Sequence, residues 1–305
     1  MIPVPNASFY QSYPKHYFRL RAIQLLSFWQ DLDGYVKPFE DAGVERKEVI
    51  TCLKLEIRGV FFQAIETLFE LIFALETMQD ENIWQVLVDS NGDKNYKRIK
   101  DLSEGSGSNI TFLDKQLRLP SIDKEIPFEL TFLQYVFYFV HVPDISEDDF
   151  HKTLDFIRDF LVIAAKEFSD RGDYNAYKHG LRLFPTIVGI EVSNLLTSVN
   201  LDFGDTYTTK KKNEPYNYYI KTFDIDRDLR MIVICSELIT NIINARERYY
   251  FPNTNNVRFF SYGGYNIQEM TSPNLKATNI KFSITPVFNE TNAEPKITDN
   301  KPTAE

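Results

Sequence analysis

Between residues 45 and 79 the chain carries its longest unbroken helical pattern, and the rest of the sequence has to pack around it. Apolar residues stand at Val49, Ile50, Leu53, Ile57, Val60, Phe61, Ala64, Ile65, Leu68, Phe69, Ile72, Phe73 and Leu75. Spacings of three and four mark a helix. So broad an apolar set exceeds a single stripe, which predicts a central helix covered on several sides. Glu56, Gln63, Glu66 and Glu70 form a polar ribbon along it.

The remaining apolar patterns supply the cover. Helical spacing runs over 15–41 and stops at Asp41-Ala42-Gly43, where glycine can take the left-handed conformation. A helix is predicted from Pro127 to about Val140. Another opens at Ser146-Glu-Asp-Asp149 in capping-box style and runs to about Arg171. Asp224 is placed as the N-cap of a helix reaching Tyr250. A short helix is expected over 82–88, a turn at 89–93, a loop at 104–109, and a short strand or irregular cover over 110–119. Residues 186–201 read as a further buried apolar segment, and 204–217 as a polar excursion containing Lys210-Lys211-Lys212.

These patterns predict an all-α fold, an up-and-down helical bundle with a small irregular or β C-terminal appendage. The bundle is built from the helices around 15–41, 46–79, 146–171 and 224–250, with 126–141 and 173–201 packed against it. Residues 1–251 form the bundle domain. Residues 252–287 form the appendage, with alternating segments at 257–262 and 279–284 around Gly263-Gly264. The polar, aromatic-free remainder, 288–305, is expected to be a disordered tail.

Composition excludes several functions. The 305 residues include only 12 glycines and no Gly-rich loop, which argues against dinucleotide or P-loop phosphate binding. A net charge of −9 gives no global attraction to nucleic acid or anionic lipid, and there is no DNA-binding signature. The apolar run 128–142 is too short to span a bilayer, so no membrane partner is expected. The opening residues lack the basic and apolar regions of a signal peptide, and a cytoplasmic location is expected. Cys52 and Cys235 lie in apolar helical patterns and read as buried free thiols. Glu66 and Glu70 are one turn apart, but none of His16, His141, His151 and His179 has a Glu three residues before it. A ferritin-like metal site needs such pairs. No metal or cofactor is expected.

One stretch concentrates Arg, Asn, Lys and His: Arg171-Gly-Asp-Tyr-Asn175-Ala-Tyr-Lys178-His179-Gly-Leu-Arg182. Asn175, His179 and Arg182 are spaced four and three apart and share a face on a helix. An amide, an imidazole and a guanidinium side by side could bind phosphate and transfer a proton near neutral pH. The Asn175-Ala-Tyr-Lys-His179-Gly180 segment resembles the motif of the HEPN superfamily, helical bundles found in toxin–antitoxin and phage-defence systems. That signature is an Arg, usually followed by a polar residue, then a short spacer and a His often followed by Gly. The resemblance implies a metal-independent ribonuclease working as a homodimer. Under it His179 is the acid/base and Arg171 stabilises the phosphorane; Asn175, Lys178 and Arg182 are the candidate substrate-binding residues beside them. Seven residues separate Arg171 from His179, and Gly172 follows the Arg. Asp173 can start a new helix, so Arg171 joins the site only if the turn folds it back. The alternative is a non-catalytic helical interaction or scaffold protein, in which Asn175, His179 and Arg182 tie the short helix to its neighbours.

Overall fold

The computed structural model describes residues 7–104, 111–119, 128–141, 143–169, 224–253, 258–264 and 266–272, together with the backbone of six further strands. In chain order the helices are α1 (Ser8–Ser12), α2 (Tyr17–Gln30), α3 (Leu32–Asp41), α4 (Arg46–Leu75), α5 (Ile83–Val88), α6 (Gly92–Ser103), α7 (Phe132–Tyr138), α8 (Glu147–Ser169), α9 (Ile225–Tyr250) and α10 (Ile267–Thr271). The fold is mostly helical. An antiparallel hairpin of β1 (Gln116–Leu119) and β2 (Phe128–Thr131) covers one end, with Arg118 and Glu129 paired across it at 2.9 Å.

Helix α4 is the core. Its buried positions run from Val49 to Leu75 and are continuous over 57–62 and 71–75, with Ile57, Phe61, Phe62, Ile65, Leu68 and Phe69 fully enclosed. Burying each such side chain contributes about 1.5–3 kcal/mol, which outweighs the absence of a side-chain N-cap on the helix. The other long helices cover it. Asp224 Oδ1 accepts from the Arg227 backbone N–H at 2.9 Å and caps α9, as its position predicts. Ser146 Oγ accepts from Asp149 N–H at 3.1 Å and starts α8. Lys15 bonds Asn244 at 2.8 Å, whereas the Arg19 backbone N–H bonds Ser236 at 3.1 Å and its guanidinium meets Glu237 at 3.1 Å, so α2 lies antiparallel to α9.

Several boundaries differ from the sequence reading. The predicted helix over 15–41 is two helices, because the Asp31 carboxylate accepts from Gly34 N–H at 3.0 Å and caps α3 in place of continuing α2. Gly43, at φ +86°, ends α3 in a Schellman motif, with Val44 N–H bonding Phe39 O and Gly43 N–H bonding Glu40 O, both at 2.9 Å. The helix predicted from Pro127 starts at Phe132. Residues 128–131 are strand β2, and Thr131 forms a reciprocal capping box with Gln134. Helix α6 was not predicted at all: Asn91, read as part of a turn, is its N-cap and accepts from Lys94 N–H at 3.0 Å. Cys235 is buried as expected, whereas Cys52 is exposed on the outer side of α4.

The segment 186–201, read as an apolar element of the helical assembly, contains β4 (Ile190–Asn194) and β5 (Thr197–Leu201), paired antiparallel with Val192 opposite Val199. In a separate antiparallel sheet, β3 (Leu183–Pro185), β6 (Asp205–Thr209), β7 (Asn217–Lys221) and β8 (Ile280–Ser283) pair in the order β3-β6-β7-β8. The strand expected within 279–284 is thus β8, whereas 258–262 is irregular. These strands carry Val, Thr, Tyr and Ile at high density, residues that suit a pleated backbone.

Residues 258–264 and 266–272 pack on the bundle, and side chains hold much of their backbone. Asn241 accepts from Phe260 N–H at 2.8 Å and donates to Phe137 O at 2.7 Å. Tyr138 donates to Phe260 O at 2.7 Å, and Thr153 Oγ1 accepts from Tyr262 N–H at 2.9 Å. The bundle also holds a buried charge. Arg246 is fully enclosed; its Nε donates to Asp80 Oδ1 at 2.7 Å, Nη1 to Val136 O at 2.5 Å and Nη2 to Tyr135 O at 2.9 Å. Tyr135 donates to the other Asp80 oxygen, and Tyr10 donates to Asp80 O at 2.9 Å. Burial pushes both tyrosine pKa values far above the ordinary range, so the hydroxyls stay protonated as donors. Met78 (φ 57°) and Phe139 (φ 53°) adopt left-handed backbone on the two segments that converge on Arg246, a conformation that costs about 1–3 kcal/mol at a non-glycine residue.

His141 donates through Nε2 to Ala245 O at 3.1 Å, and its pKa is lowered by burial and by the nearby Arg248 charge. The unfolded chain takes up this proton near pH 6.5, while the fold resists it until lower pH. The His141 contribution to stability is therefore present above pH 6.5 and is lost as pH falls toward the lowered folded value. Urea melts between pH 7.5 and 5.5 should show this loss, and His141→Gln should flatten the slope in that window. An unchanged slope in the variant would rule the assignment out.

Candidate functional site

All five sequence-predicted site residues, Arg171, Asn175, Lys178, His179 and Arg182, lie outside the described residues. The described structure does reach the point at which that segment begins. Helix α8 ends at Ser169, and its last turns meet a cluster of charges from two other helices, α4 and α9.

Asp228, in the first turn of α9, has no exposed surface and receives both Arg58 contacts through Nη1, at 2.9 and 3.0 Å. The guanidinium of Arg58 lies over the rings of Phe61 and Phe62, 4.6 and 4.5 Å from their centroids, where cation–π attraction adds to the ion pair. Arg58 also lies 3.8 Å from Glu167, near the end of α8, and Glu167 pairs with Arg227 at 2.5 Å. Arg227 Nε then donates to Thr271 O at 2.8 Å, and Arg230 Nε to Met270 O at 3.3 Å, so two guanidinium groups hold the last carbonyls of α10. Arg58 and Arg227 thus balance Asp228 and Glu167 in charge, and with Arg230 they join α4, α8, α9 and α10.

Burial pushes the Asp228 carboxyl pKa up, with Arg58 and Arg227 pulling against it. The carboxylate has its hydrogen bonds made, and its Arg58 partner is planar and preorganised. Such a network fixes geometry and offers no unpaired base for proton transfer. Among the described residues, Arg158 Nε is the sole buried side-chain nitrogen or oxygen without a hydrogen-bond partner. Among the same residues, no group of three His, Cys, Asp or Glu is arranged to hold a metal ion, and no helix is long and apolar enough to cross a membrane.

In the ribbon on α4, Glu56 pairs with Arg21 of α2, while Arg58 turns to Asp228 and Glu167. The sequence had no means of pairing residues 58 and 228. It also passed over a polar cleft between the end of α4, α5 and α6, because α6 itself went unrecognised. The available signal was the spacing of Asn91, Lys94, Asn95 and Arg98, which repeats at i, i+3, i+4 and i+7.

Comparison of the chain with protein-family models, with curated proteins and with solved structures matches none of them.

Proposed function

We propose that the chain is a HEPN-like helical protein that cleaves or binds RNA in a defence or toxin-type role. It acts through His179 as acid/base and Arg171 as the phosphorane-stabilising cation, with Asn175, Lys178 and Arg182 on the RNA. The observation that carries this is the i, i+4, i+7 placement of Asn175, His179 and Arg182 directly after the long bundle helix α8. The anchoring of that helix supports it: Glu167 is held by both Arg58 and Arg227, four residues before Arg171. A catalytic segment works best on a rigid element. Homodimerisation is part of the proposal, since the resemblance implies that Arg and His meet RNA across a dimer interface.

The RNA contacts have a salt signature. Lys178→Ala and Arg182→Ala should each weaken binding of single-stranded RNA. Each should also lower the slope of log affinity against log salt by about 0.7 per lost phosphate contact. Fluorescence anisotropy of a labelled oligonucleotide across a salt series measures this. Unchanged slopes in both variants would remove these residues from the RNA site.

A second function, that of a non-catalytic interaction protein, is favoured by one feature of the surface. Leu20 and Ile23 on α2 are 65% and 54% exposed. Leu26 and, on antiparallel α9, Val233 are exposed as well. In that case Asn175, His179 and Arg182 are struts.

A further inference from the structure

The last turns of α4, helix α5 and the first half of α6 enclose a cleft of about 760 Å³, a volume suited to a small ligand. Its α6 wall is the stripe Asn91, Lys94, Asn95 and Arg98. One turn further along the same face the helix buries Ile99 and Leu102 in the core, so the cationic stripe is the N-terminal, cleft-lining continuation of that face. Lys115, in the turn ahead of β1, contributes a further cation to the lining.

The charges in the cleft differ in how they are held. Arg98 is fixed, paired with Glu76 and lying 3.8 Å above the centre of the Phe73 ring. The ammonium groups of Lys94 and Lys115 have no ion pair or hydrogen bond among the described residues. Of the carboxylates on the lining, Glu76 is taken by Arg98, and Glu70 is engaged beside Tyr13, whose hydroxyl burial and the Glu70 charge push up to about 12. Asp89 is left against two uncommitted lysines. Lys94 sits in the first turn of α6, where the helix dipole disfavours a cation. It also stands four residues from Arg98, a like-charge pair that repels along the helix. An anion in the cleft reverses both effects.

The body of the ligand follows from the rest of the lining. Arg98 covers a face of Phe73, the one aromatic residue of the lining, which leaves little surface for a base to stack on. Gln79, Gln85, Asn91 and Asn95 instead present amides, each able to donate and accept. The geometry points to a binding site for a phosphorylated polyol of the sugar-phosphate class. Its phosphate is held by Lys94 and Lys115, and its hydroxyls are read by the amides. This site is independent of RNA chemistry at His179.

Isothermal titration of the full-length chain at fixed ionic strength tests it, with glucose 6-phosphate, ribose 5-phosphate, glucose and inorganic phosphate as probes. At least one sugar phosphate should bind, with the unphosphorylated sugar at least about tenfold weaker. The Lys94→Gln/Lys115→Gln double variant should lose at least about tenfold, as expected for removal of charge-assisted contacts. Lys100→Gln, on the same helix but outside the cleft, should leave binding unchanged. No binding of either sugar phosphate, or equal affinity in the double variant, would overturn the site. Inorganic phosphate binding as tightly as both sugar phosphates would overturn its assignment to a polyol.

Discussion

Arg246→Met is expected to destabilise the fold by about 3–5 kcal/mol, a large loss for a single side chain. The substitution keeps an unbranched apolar stem and removes the guanidinium, which leaves the buried Asp80 carboxylate with Tyr135 as its side-chain partner. The carbonyls of Tyr135 and Val136 lose their Arg246 donors at the same time. A buried charge without its counter-charge is the costly state. Against a total stability of about 5–15 kcal/mol for a typical domain, this loss should move the urea midpoint far down or abolish cooperative unfolding. Adding Asp80→Asn to Arg246→Met should recover part of it, because the uncompensated carboxylate is then gone. A single-variant loss below about 1 kcal/mol would mean that the network contributes little to the fold.

That network also shows why some of the structure was legible in the sequence and some was not. Helix α4 was plain, because its apolar positions repeat over many turns and local spacing alone defines them. The caps at Asp224 and Ser146 were plain for the same reason, since each acts on a backbone N–H three residues on. Helix α6 was missed because Asn91, Lys94, Asn95, Lys97, Arg98 and Lys100 outnumber its apolar positions. The break at Asp31 was missed because apolar spacing continues across it, while a single carboxylate decides the matter. The strands within 186–201 were taken for part of the helical assembly, an ambiguity inherent in short apolar runs. The long-range charge pairs, Arg58 with Asp228 and Arg246 with Asp80, have no local signature; only the folded chain brings them together. The predicted site is the reverse case. Its residues were read from the sequence, and what the described structure adds is the anchored helix from which they follow.

Replacing the proposed catalytic imidazole should have the largest effect on function. If His179 transfers a proton in the transition state, His179→Ala should lower cleavage by roughly 10²–10⁴-fold. Binding of RNA should be retained through Lys178 and Arg182. A strut would behave differently: its loss would lower stability and change activity only as far as the fold is lost. Arg171→Ala should lower cleavage alongside it if its guanidinium stabilises the phosphorane at the scissile phosphate.

The deciding measurement is single-stranded RNA cleavage by the full-length protein in excess EDTA, wild type beside His179→Ala, with a thermal melt of each. Metal-independent cleavage by the wild type, reduced at least about 10²-fold in a variant that melts at the same temperature, is the predicted result. Equal cleavage by both proteins, or no cleavage by the wild type, would contradict it.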